Sequence, residues 1–209
     1  MSLRVLSVST AVALAMAFVT IPSAQTPAPK PAPPTVSKPA PAAPVKVGPV
    51  KPPSTDAEKI RSALSAAPPA VASGASVVDM NEKMEMRELK KGTNGWTCMA
   101  DGPSPGVDPM CLDANGMEWA GALMKHQPPP AGKMGVGYML MGGSDASNTD
   151  PFATTPNAGS AWVDTGPHLM VLNIADHFAS YPTTAANTKV PYVMFPGTPY
   201  AHLMIPVNK

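Results

Sequence analysis

Short runs in which apolar and polar residues alternate recur through the last three-quarters of the chain, and each predicts a half-buried strand. Residues 76–80 and 84–89 alternate in this way, and Asn94-Gly95 then offers the positive φ angles of a tight hairpin leading into residues 96–99. Together they predict an antiparallel meander. Further strands are expected at 134–141, 168–174, 192–195 and 203–207. Helical signals are fewer. Thr55-Asp56-Ala57-Glu58 is a capping box, with Ile60 and Leu64 four apart behind it and Pro68-Pro69 as a stop. Asn115 with Glu118 three residues later marks a second helix start, with Trp119 and Leu123 stacked four apart. Lys125 and His126 complement its carboxyl end, and Pro128-Pro129-Pro130 ends it. A third short helix is expected at 175–181. The pattern defines an α+β fold, a single domain on a largely antiparallel sheet with two or three short helices.

The residues ahead of that domain read differently. Arg4 precedes a mostly apolar run over residues 5–21, and Ser23 and Ala24 are small residues at a cleavage point. Residues 1–24 are therefore expected to be a signal peptide, with an uncleaved anchor as the alternative. No cysteine lies near the cleavage point to carry a lipid. No membrane span is expected in the mature chain. Residues 25–54 hold eleven prolines, four lysines and no acidic residue. Proline fixes φ and biases its predecessor to extended geometry, so this segment is expected to be a disordered linker sampling polyproline II, reaching on the order of 90 Å at roughly 3 Å per residue. Its composition resembles the Pro-Lys segments of envelope-spanning bacterial proteins of the TonB type. The resemblance implies a reach across the envelope, with the lysines meeting anionic envelope polymers. The plainer reading is a spacer.

Charge divides the chain at the same place. The net charge is +1, but residues 55–209 hold ten Lys and Arg against fourteen Asp and Glu. A mildly acidic globular domain without a basic cluster excludes nucleic acid as a partner. Its two cysteines, Cys98 and Cys111, are expected to form one disulfide in an oxidising compartment, which places the protein in the periplasm or outside the cell. The segment between them, with Asp101, Gly102, Pro103, Pro105, Gly106 and Pro109, cannot form regular structure and needs such a staple.

Several apparent motifs fail on context. Gly102-Pro103-Ser104-Pro105-Gly106 matches the GxSxG of serine hydrolases, but flanking prolines forbid the strand-to-helix elbow that exposes the serine. Asp145, Ser147 and Thr149 have the spacing of a calcium loop, yet Asp150 stands where its glycine belongs and Pro156 where its glutamate belongs. Asp113, Asn115 and Glu118 could present oxygens to a cation, but helix capping already explains two of them. His126 and His177 have plain helix readings. Asp145, Asp150, Glu118, His168 and His202 are the residues from which acid–base chemistry would be built, and sequence alone does not bring them together. A hydrolase-like enzyme is the third-ranked function.

Methionine is the compositional oddity. Thirteen of fifteen fall in the domain, while aromatic residues make up 5% of the chain. Thioether sulfur selects copper(I), and imidazole binds copper as well. His168-Leu169-Met170 and His202-Leu203-Met204 repeat one tripeptide, and on strands each places its histidine and methionine on one face. His168, Met170, His202 and Met204 are thus a candidate copper site if the two strands are neighbours. The competing reading is that methionine fills an irregular core.

At the level of phrases, residues 92–99 (Gly-Thr-Asn-Gly-Trp-Thr-Cys-Met), Asp108-Pro109-Met110-Cys111, the loop 144–151, Gly166-Pro167-His168 and residues 199–206 resemble an uncharacterised group of exported bacterial proteins. The resemblance would cover nearly all of residues 60–207. It implies export and one shared domain, and it carries no activity or catalytic residue. The expected function is a binding or structural module held on a proline-rich arm, with copper handling as the alternative.

Overall fold

A computed structural model describes residues 51–81, 85–173 and 177–207. All of them fall in the compact unit spanning Pro39–Lys209. The signal-peptide segment and nearly all of the proline-rich segment lie outside the described residues.

The chain enters the domain through the expected capping box. The Thr55 hydroxyl accepts the Glu58 backbone N–H at 3.2 Å and the Glu58 carboxylate accepts the Thr55 N–H at 3.0 Å, which starts helix α1, Asp56–Ser65. Pro68-Pro69 stops α1 and at once nucleates a single turn, α2, Pro69–Ala72, with proline in its first position. Strand β1, Ser76–Met80, follows as the alternation requires.

From there the path departs from a simple meander. Strand β2, Met86–Lys90, pairs antiparallel with β1, but β3, Thr97–Met99, runs parallel to β1 on its other side. The Asn94-Gly95 turn is therefore a crossover and not a hairpin. Its cause is a docking site on the residues just before β1: Thr93 and Asn94 donate their N–H groups to the Gly74 carbonyl, and Asn94 Nδ2 donates to Val71 O at 2.7 Å. Gly92 makes this approach sterically feasible, since a Cβ there would lie 2.1 Å from Ser76 N.

Strand β4, Met110–Leu112, returns antiparallel to β3, and Cys98 lies opposite Cys111, joined to it as a disulfide. Helix α3, Ala114–Met124, starts at Asp113 and not at Asn115. The Asp113 carboxylate accepts Gly116 N–H at 2.7 Å and Val136 N–H at 3.0 Å, tying the helix start to β5, Gly135–Met139. A small ribbon of β6, Gly143–Asp145, and β7, Val163–Thr165, was not signalled by alternation. The sheet is completed by β8, His168–Leu172, β9, Tyr192–Met194, and β10, His202–Pro206, giving the order β2-β1-β3-β4-β5-β8-β10-β9. Residues 177–181 of the expected third helix form a turn closed by Tyr181 N–H on Phe178 O, and residues 175–176 lie outside the described residues.

The sheet is covered on both faces. On one, α1 and α2 bring Ala63, Ala66 and Ala72 against Val77 and the disulfide, small side chains that let helix backbone approach the strands. On the other, α3 lays Trp119 over Leu112, Met170 and Leu172. Phe178 caps a smaller cluster with Val193 and Leu203 on the face away from α3. Among the described residues no helix is long and apolar enough to cross a membrane.

Candidate ligand chamber

Period-two alternation determines what lies under α3. Leu112, Gly137, Met170 and Met204 form one transverse row across β4, β5, β8 and β10, each directly opposite the next. Gly137 lacks a side chain, and the Leu112 Cδ2 and Met170 Cε atoms fill its place. In the adjacent row Met139 is opposite His168, and Met99 opposite Met110. The third row holds Leu172, His202 and Met194. This face is thus largely thioether, with two imidazoles set into it.

Between that face and α3 lies a chamber of about 350 Å³, lined by nine methionines together with Trp119, His202, Phe195 and a polar corner of Ser104, Asp108, Ser144 and Asp145. Methionine adapts its shape to a ligand at low strain, which suits it to line a binding cavity.

The two sequence-identified histidines sit on neighbouring strands, as the copper reading required, but not beside each other. His202 is opposite Leu172 and His168 opposite Pro206, four positions apart along the ladder, while Met170 and Met204 between them are directly paired. His202 lines the chamber, and both imidazoles are almost wholly buried. Each spends its Nδ1–H on a backbone carbonyl two residues upstream, His202 on Tyr200 O at 3.0 Å and His168 on Gly166 O at 2.7 Å. A carbonyl only accepts, so both rings carry hydrogen on Nδ1 and a lone pair on Nε2. Nε2 of His168 is buried without a hydrogen-bond partner. Burial pulls both histidines down to about 4, so the rings are neutral at physiological pH. Among the described residues neither ring hydrogen-bonds a carboxylate, the contact that a histidine general base oriented by an acid uses.

His202 is held edge-on by Trp119 at 5.2 Å and Phe195 at 5.4 Å between ring centroids. The Trp119 Nε1–H is buried and also has no acceptor among the described residues. An unmet buried donor costs about 1–3 kcal/mol, which a bound acceptor would relieve.

At the polar corner, Asp145 is half-buried and its carboxylate makes no hydrogen bond or ion pair among the described residues. Burial, with a smaller contribution from Asp108, pushes it up to about 7. Asp101 is raised to about 6 by burial and by Asp108. Asp108 accepts the Ser104 hydroxyl, and the Ser144 hydroxyl bonds the Pro105 carbonyl, so the proline-rich loop between the cysteines forms one wall of the corner. Ser147 accepts the N–H groups of Thr149 and Asp150, closing the loop 144–151 on itself. Glu118 pairs with Lys133 on the surface and Asp150 caps Phe152 N–H, so neither joins the chamber. His126 stacks on Phe152 at 4.0 Å, and His177 is exposed.

Among the described residues no three His, Cys, Asp or Glu side chains converge as a metal-binding group. Residues that sequence reasoning passed over are Met194, Trp119 and Asp108. Met194 was visible as a methionine in a strand, but only strand pairing sets it against His202. No protein-family model, no curated protein and no solved structure matches this chain.

Proposed function

We propose that the domain is a binding module, exported on a proline-rich arm, and that the methionine-lined chamber under α3 is its binding site. The observation that carries the reading is the chamber itself: a cavity of ligand size between a helix and a sheet, walled by adaptable thioethers together with Trp119. The Cys98–Cys111 disulfide supports an oxidising compartment.

A neutral apolar fluorophore, N-phenyl-1-naphthylamine, tests whether the chamber admits a guest. The folded protein should bind it with a rise in dye emission and quenching of Trp119, and Ala120→Phe, which fills the chamber from α3, should abolish both. A folded protein that takes up no dye, or an Ala120→Phe variant that binds it unchanged, would place binding elsewhere.

A further inference from the structure

Across three neighbouring strands the register assembles a set of soft donors on the chamber floor. Met194 of β9 stands opposite His202 of β10, and Met204 of β10 stands opposite Met170 of β8. His202 and Met204 are two residues apart, so they share a face. Cross-strand neighbours hold their Cβ atoms about 5 Å apart, and residues two apart on a strand about 7 Å. Three of the four side chains are flexible thioether arms that can converge across those spans. All four line the chamber, and none is more than 6% exposed.

The histidine is already prepared as a ligand. Its Nδ1–H is held by the Tyr200 carbonyl, the second-shell bond that fixes tautomer and ring orientation in metal-binding histidines, and Trp119 and Phe195 fix the ring plane.

We propose that His202, Met194, Met204 and Met170 form a copper(I) site. The inference rests on the chamber being the binding site and names its ligand. Thioether and imidazole are the donors that select copper(I), whereas zinc sites draw on thiolates, imidazoles and carboxylates, and calcium and magnesium on oxygen. The four donors are neutral, so a monovalent ion brings the least charge into a buried place. Asp108 and Asp145, on the wall of the same chamber, are the acidic groups that can balance the charge of the ion. His168 lies outside the quartet because register puts it opposite Pro206, at the far end of the paired strands.

The test is an anaerobic titration of the purified protein with copper(I) against a chromogenic copper(I) chelator, run beside the naphthylamine assay. One equivalent should bind, with sulfur and nitrogen neighbours in X-ray absorption. The double substitution Met170→Leu and Met204→Leu keeps side-chain volume and removes only sulfur. It should weaken copper(I) by about 100-fold or more while dye uptake persists, and His202→Gln should do the same. Met194→Leu gives an independent single-sulfur check, and His168→Gln should leave copper affinity unchanged. Dye uptake without copper(I) binding above background overturns the metal assignment alone. So does copper(I) affinity that survives the methionine substitutions, or zinc(II) binding of equal strength. A protein that admits neither probe overturns the chamber reading as well.

Discussion

Met170 occupies the space that Gly137 leaves empty: a Cβ on Gly137 would lie 2.7 Å from the Met170 Cε. The glycine gives Met170 its place on the floor of the chamber. Gly137→Ala should destabilise the domain by about 1–3 kcal/mol, the usual cost of overpacking, because flexible side-chain ends can yield. Gly135→Ala should cost more, since its Cβ would meet the Gly116 backbone at 2.6 Å and α3 would have to move. Urea denaturation of the two variants gives the order directly, and equal costs would contradict it.

Asp113 is the hinge-pin between helix and sheet. Its carboxylate serves both Gly116 and Val136, so Asp113→Ala removes the helix cap and leaves a strand N–H of β5 unmet. The expected loss is about 2–3 kcal/mol, against about 1 kcal/mol for Thr55→Ala at the exposed start of α1. Thermal or chemical unfolding of both variants provides the comparison.

The disulfide joins residues thirteen apart and is buried under α1. Loop-closure entropy for that separation gives roughly 3 kcal/mol. Unfolding midpoints with and without reductant, and for the double Cys98→Ala, Cys111→Ala variant, should differ accordingly. A reduced protein as stable as the oxidised one would refute this.

Asp145 predicts a pH dependence. Its folded-state value, about 7, lies above the ordinary 3.8, so the folded protein holds this proton more tightly than the unfolded chain does. Its contribution to stability is fully present below about pH 4 and is lost as pH rises through 7. Asp145→Asn removes the ionisable group, so the variant should gain stability relative to wild type between pH 5 and 8, on the order of 2 kcal/mol at the upper end. Paired denaturation curves at pH 4.5 and 8 measure it, and a constant difference would count against a buried, titrating carboxyl.

Local chemistry was legible in the sequence wherever neighbours along the chain decide the outcome. The Thr55–Glu58 capping box, the strand at 76–80 and the Cys98–Cys111 bond all follow from spacing and composition. What sequence could not convey was lateral order. Nothing in residues 84–99 shows that Gly74 captures the Asn94 turn and sends β3 to the far side of β1. The reading of Asn115 as the helix start failed for a similar reason, since the second bond of the actual cap, Asp113, is to Val136, more than twenty residues away. The two His-Leu-Met tripeptides fall on neighbouring strands, an adjacency that the sequence left open. Antiparallel pairing then reversed one against the other, joining the methionines and parting the histidines.

The placement of β10 between β8 and β9 bears on how the domain is built. Residues 202–206 are an interior stave of the sheet, so a nascent chain lacking them would present two bare strand edges and lack Met204 from the chamber floor. The sheet can close only after that segment has emerged.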